Sequence, residues 1–245
     1  MRSWDSVQGG AVPAEIISKY HSTLMNLIDQ TRADGIVPVV INMTPHNNFI
    51  STEYNAVLTE NLALHEIDCP TVNAMGAVSD GTGKYVEGYS SAASTPNADG
   101  HDEIMRAIVP SLFDALASGK PQPVRNLANK IELAGNAVLT FEPEEGLHSF
   151  TIAVRYNTKT PGTILSFTEA NAPAAGTVVF EEDGTFVYTS PTGTKMSNKP
   201  SNNPINGADR ILFVYHNYAV GKTTVYLDNK IIGTTDEKIE VTSFT

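Results

Sequence analysis

Near residue 120 the hydrophobic period of this chain changes from three and four to two, and the two halves must therefore build different kinds of layer. Before the change, "AEIISKYHSTLMNLIDQTRADG" sets Ile16, Ile17, Tyr20, Leu24, Leu27 and Ile28 at helical spacing, and Gly35 stops the helix. The apolar run "IVPVVINM" follows and predicts a strand buried on both faces of a parallel sheet. A polar loop, "TPHNNFIS", leads to a second helix from about Thr52 to His65. "PTVNAMGAV" predicts a second strand and "GHDEIMRAIVPSLFDAL" a third helix. Alternating helix and strand predict an α/β layer.

After the change the runs are short and alternate. "HSFTIAVRYN", "GTILSFTE", "GTVVFEEDGTFVYTS", "RILFVYHNY" and "KTTVYLDNKIIGTTD" predict strands, with hairpin turns at Asp183-Gly184 and Asp228-Asn229. Their spacing predicts an all-β antiparallel jelly-roll sandwich. "SGKPQPVRN" marks a stiff connector through Gly119, Pro121 and Pro123. The expected organisation is an α/β domain over residues 1–118, a linker over 119–123 and the sandwich over 124–245.

Charge narrows the partners. Against 16 Lys and Arg stand 27 Asp and Glu, a formal net charge of -11, so phosphate backbones are repelled and nucleic acid is not an expected partner. One cysteine, Cys69 in "IDCPTVNAM", offers neither a disulfide framework nor a thiolate cluster and reads as a small buried hydrophobe. No run approaches the roughly 20 apolar residues of a membrane span. "MRSWDSVQGG" lacks the apolar core of a signal peptide, so a soluble protein is expected. No histidine pair has the spacing of a helical zinc site, and neither metal nor cofactor is expected.

"VPVVINMTPHNN", "VNAMGAVSDGTGKYVEGY", "TPNADGHDEI" and "PSLFDAL" resemble the C-terminal half of an SGNH (GDSL-type) hydrolase, giving a partial, flavodoxin-like layer over residues 1–118. "SFTIAVRYN", "GTILSF", "DGTFVY" and "VYLDNKIIGT" resemble a concanavalin-like, laminin-G-type sandwich. The first resemblance implies a nucleophilic serine in Gly-Asp-Ser and a late Asp-x-x-His-Pro motif, in which the carboxylate holds the imidazole that takes the hydroxyl proton. "SAASTPN" aligns with that late motif without a gap. Ala92 stands at the acid position and Thr95 at the base position, while Pro96 and Asn97 are kept; no Gly-Asp-Ser occurs, and "SDG" at 79–81 lies in a polar turn. Ala has no proton acceptor and a Thr hydroxyl is too weak a base. His46, His65 and His101 read as loop, helix and cap residues.

The sandwich half supplies the binding candidates. Sugar faces stack on aromatic rings and sugar hydroxyls bond to amides, so Tyr188, Tyr215 and Tyr218 are expected beside the polar loop "SNKPSNNPINGAD" with Asn198, Asn202, Asn203 and Asn206. Tyr156, Phe186, Phe213 and Tyr226 complete the ring inventory, of which alternation buries half or more. Glu144, Glu145, Glu181 and Glu182 read as solvated hairpin ends. The expected function is a non-catalytic structural or binding protein directed at a glycan or cell-surface receptor. Such a pairing of domains resembles phage tail or head fibres and bacterial surface proteins, so a virion or extracellular setting is expected. Its α/β sheet lacks strands, so other chains or further copies are expected to cover open edges. The alternative is that the chain forms part of a carbohydrate O-acyl esterase.

Overall fold

The helical spacing of the N-terminal third produces α1, Ala14–Ala33, in the computed structural model, which describes residues 14–64, 67, 69–108, 110–119, 137–170, 172 and 174–245. By packing, residues 1–130 and 131–245 form two units. The expected linker over 119–123 lies, apart from Gly119, outside the described residues, as does His65.

In the first unit, Gly35 takes φ +74° beyond α1, a conformation that costs glycine little. Helix α2, Ser51–Leu64, buries Val57, Glu60, Asn61 and Leu64, the three- and four-residue spacing of a helix face. Ile28 of α1, Val40 and Leu64 form one apolar cluster, with Leu24, Met25, Ile67 and Cys69 packed around it. Strands β1, Val40–Ile41, and β2, Thr71–Val72, pair in parallel. The expected burial of β1 on both faces is corrected here: Val40 is 7% exposed but Ile41 is 52% exposed. Val40 is the residue that joins the cluster of α1 and α2, while on the opposite face Ile41 stands open beside its buried partner Val72, which is 3% exposed.

Two further expectations are corrected. The strand expected over "PTVNAMGAV" ends at Val72, because Asn73 accepts from the Gly76 amide and starts helix α3, Ala74–Val78. After the small hairpin of β3, Ser90–Ala92, and β4, Thr95–Pro96, the expected third helix divides into α4, Ala98–Arg106, and α5, Pro110–Ala117. Pro110 cannot donate to the preceding turn but suits the first position of a new helix. No helix among the described residues is long and apolar enough to cross a membrane.

The second unit is an antiparallel β-sandwich. One sheet has the order β12-β11-β10-β5 and the other β13-β6-β7-β8-β9. The strands are β5 Phe150–Tyr156, β6 Gly162–Glu169, β7 Gly176–Phe180, β8 Phe186–Thr189 and β9 Lys195–Asn198. They continue with β10 Arg210–Asn217, β11 Lys222–Leu227, β12 Lys230–Asp236 and β13 Val241–Phe244. Sixteen buried residues, among them Phe167, Phe180, Phe186, Leu212, Val214 and Val225, form one core between the sheets. At the β11–β12 turn Asp228 and Asn229 take φ +48° and +64°, the left-handed pair that a two-residue hairpin requires.

Candidate functional site

The stretch that resembles a hydrolase motif is a structural corner. Ala92 and Thr95 are exposed on the β3–β4 hairpin. Asn97 caps α4, accepting from Gly100 N at 2.9 Å while its own amide donates to Gly88 O at 2.6 Å. Asn47 braces the hairpin from the other side: its backbone N–H donates to Ala93 O at 2.8 Å, its side-chain amide donates to Ser90 Oγ at 3.0 Å, and its Oδ1 accepts from Tyr85 N at 3.0 Å. His46 Nδ1 accepts from Asn48 N at 3.1 Å, a local turn contact, and His101 is exposed on α4. In the first unit an imidazole does meet a carboxylate at His21, whose Nδ1 lies 3.1 Å from Oε1 of Glu60, 1% exposed on α2. The sequence reading passed over this pair because its members lie 39 residues apart on different helices.

The ligand candidates of the sandwich fall into four places, of which the outer sheet face with Tyr215 is one. Tyr188 is fully buried and donates to Glu237 Oε1 at 2.6 Å. It shares the inward parity of Phe186 on β8, so its expected exposure is corrected. Burial, then the Glu237 carboxylate, push its phenol well above the usual range. The asparagines mostly shape their own loop: Asn203 and Asn206 accept from Ile205 N and Ala208 N at 3.0 Å, and Asn198 donates to Ile232 O at 3.0 Å. Asn202 is exposed. This loop meets the Arg210 end of β10, where Arg210 donates to Asn203 O at 3.0 Å. Tyr218 follows the other end and stacks on His148 at 3.8 Å. Eight residues of β10 intervene, about 26 Å at the rise of a strand, so the loop and Tyr218 do not form one site.

A different set of rings comes together on the outer face of the four-stranded sheet. Leu212, Val214 and His216 point inward from β10, which turns Ile211, Phe213 and Tyr215 outward. Across the sheet, Ala153, Phe213, Tyr226 and Ile231 occupy one row. Thr151, Tyr215, Thr224 and Thr234 occupy the next. The first row is apolar and spans four strands, about 14 Å at ~4.8 Å per step. Hydroxyls dominate the second, where the Tyr215 Oη accepts from Asn217 Nδ2 at 3.0 Å. Ile211, Tyr215 and Ile231 are 39%, 36% and 59% exposed, so this face is open at these side chains, while Thr224 between Tyr215 and Thr234 is 7% exposed.

Its rim charges cancel in pairs. Arg155 meets Asp209 at 2.8 Å, Arg210 meets Asp228 at 2.7 Å and Lys222 meets Asp236 at 3.7 Å. Burial pushes the Asp228 carboxyl up, but the Ile211 amide and the Arg210 guanidinium that donate to it prevail and hold it below its ordinary value. The first unit offers an open cleft of about 370 Å³ between Leu24, Leu27, Ile28 and Thr31 of α1 and residues 38–41, with few groups to orient a polar ligand. Among the described residues no cluster of three or more His, Cys, Asp or Glu could hold a metal ion.

No family model and no curated protein matches the chain. Among solved structures, the heptameric SAP-like pentraxin from Limulus polyphemus is 14% identical, with 41% of this chain and 51% of that chain covered and a TM-score of 0.33. The CBM40 of the Ruminococcus gnavus IT-sialidase is 12% identical over 43% of this chain and 75% of its own, with a TM-score of 0.33. Sheep galectin-11 is 14% identical over 46% and 92%, with a TM-score of 0.32. This chain spans about half the length of the pentraxin and 22% of the LG1-3 region of the laminin alpha2 chain. At these scores the likenesses carry no argument about function, and the sandwich stands on its own strand order.

Proposed function

We propose that this chain is a non-catalytic glycan-binding protein whose sandwich takes a neutral saccharide, free or on a cell-surface receptor, on the outer face of its four-stranded sheet. The observation that carries the reading is the pair of adjacent rows, one apolar with Phe213 and Tyr226 and one of hydroxyls with Tyr215. A pyranose has the same two-sided chemistry, with C–H groups on its ring faces and hydroxyls around its edge. Paired rim charges and a net charge of -11 favour a neutral ligand over a polyanion. On this reading the first unit is a platform, a degenerate SGNH-like layer in which Pro96 and Asn97 have kept the task of starting α4.

The test is a glycan array followed by calorimetry on the hits, with wild type beside Phe213→Ala and Tyr226→Ala. Binding of neutral oligosaccharides that both substitutions weaken, with no turnover of short-chain acyl esters, supports the reading. An array without hits, or affinities that both substitutions leave unchanged, overturns it.

A further inference from the structure

We infer that residues 237–240 form an acid-released latch: His216 holds this connector to the sandwich by accepting a hydrogen bond from the Ile239 amide, and protonation of the imidazole frees the connector together with β13. The connector leaves β12 in the four-stranded sheet and enters β13 in the five-stranded one. Two of its four residues are buried, Glu237 at 9% and Ile239 at 0% exposure, while Lys238 is exposed and Glu240 half-buried.

Its attachments include the Lys238 ammonium, 5.2 Å from the centre of the Tyr218 ring, and several hydrogen bonds. Ile239 N donates to His216 Nε2 at 3.4 Å, Glu237 N donates to Gly221 O at 2.9 Å, and the Tyr188 phenol donates to Glu237 Oε1. Glu240 Oε2 lies 3.6 Å from His148 Nε2, and Val241 exchanges two backbone bonds with Leu147. An amide only donates, so Nε2 of His216 must carry the lone pair. Nδ1–H is then the donor to Thr223 Oγ1 at 2.9 Å. A protonated imidazole has two donors and no acceptor. Protonation would therefore set one N–H against another where Ile239 is fully covered, and would leave a buried donor unsatisfied.

The surroundings give the added charge little relief. His148 approaches from the segment before β5 and Tyr218 from the β10–β11 turn, its ring 6.3 Å away. Thr223 and the Lys222 carbonyl face the ring from β11, and Tyr188 reaches it through Thr223 from β8. Glu237, Lys238 and Glu240 are the charged groups on the connector itself. Burial first, and His148 second, hold His216 down at about 4, against 6.5 for a solvated imidazole, while the Lys222 carbonyl pulls the other way. A released connector that lets His216 meet water is therefore favoured about tenfold per pH unit between those values, on the order of 10²-fold in all.

Hydrogen exchange of the full chain, corrected for intrinsic rates and followed from pH 7 to pH 4.5, tests the latch in wild type and His216→Gln. A glutamine carbonyl can accept from Ile239 but takes up no proton in this range. The expected result is a loss of protection of order 10²-fold at residues 237–245 in wild type, from a level below that of residues 176–189 at every pH, and a nearly flat profile in the variant. An equal loss in the variant, no loss in wild type, or residues 237–245 as strongly protected as residues 176–189 overturns the proposal. Should the variant fail to fold, NMR titration of wild type decides: the His216 ring and the Ile239 amide must shift together, and a ring that titrates without the amide refutes the latch.

Discussion

At the scale of single residues, buried polar contacts in both units depend on one atom each. Tyr188→Phe removes the donor to Glu237, whose other carboxylate oxygen is already buried without a partner. The expected cost is about 1–3 kcal/mol in urea unfolding, recovered in part by Glu237→Gln because a neutral amide is less costly to bury. A loss below about 0.5 kcal/mol would mean that the carboxylate reaches water. Gly100 supplies a steric counterpart in the first unit: a Cβ there would run into the Tyr89 carbonyl and the Pro96 side chain. Gly100→Ala should therefore loosen α4 from the hairpin and lower the thermal midpoint, whereas Gly233→Ala meets the end of the flexible Met196 side chain and should be better tolerated. The helix start after Pro96 was readable because capping is local chemistry, but the cap is Asn97 and not His101, which lies inside α4. Tyr188 was not readable as core, because alternation sorts a strand into two sets without saying which set faces in.

At the scale of elements, the two rows on the four-stranded sheet come from four strands, β5, β10, β11 and β12, and no one of them contains a site. Phe213→Ala and Tyr226→Ala should each reduce saccharide affinity about two- to tenfold, the range expected for one lost ring contact, while unfolding changes little because both rings lie outside the core. A large loss of stability with unchanged binding would assign these rings to cross-strand support instead. Phe213 and Tyr215 were visible as members of one face of β10 but not as its outward face, and the hairpin at Asp228-Asn229 places Tyr226 and Ile231 opposite each other on β11 and β12. Strands β9 and β13 were missed because "KMSN" and "VTSF" carry too few apolar residues to announce a strand. They exist because β8 and β6 offer them an edge.

At the scale of the whole chain, acid and concentration are the informative variables. His216 has a folded value of about 4 and an unfolded value near 6.5, so the unfolded chain takes the proton first as pH falls. Stability that is complete above pH 6.5 should decline by about 3 kcal/mol by pH 4, and His216→Gln should flatten that part of the profile in urea titrations at stepped pH. An identical decline in the variant would place the sensitivity elsewhere. The first unit leaves Leu27, Ile36, Val37, Ile41 and Leu62 between 45% and 60% exposed. That much open apolar surface favours association. Sedimentation should show reversible self-association that Ile41→Lys weakens, and a strict monomer at all concentrations would leave these side chains solvated.

What this sequence determined by itself was the change of period near residue 120, the course of α1 and α2, the helix start after Pro96-Asn97 and most strands of the sandwich. Each of these depends on interactions within about four residues or on strict alternation, and such signals survive without knowledge of the rest of the chain. Tertiary structure decided the one-sided burial of β1, the burial of Tyr188 and the meeting of Glu60 with His21. It also separated the asparagine loop from Tyr218 and assembled the ring and hydroxyl rows from four strands. These features depend on which surfaces face each other across tens of residues, and distance in sequence carries no direction in space.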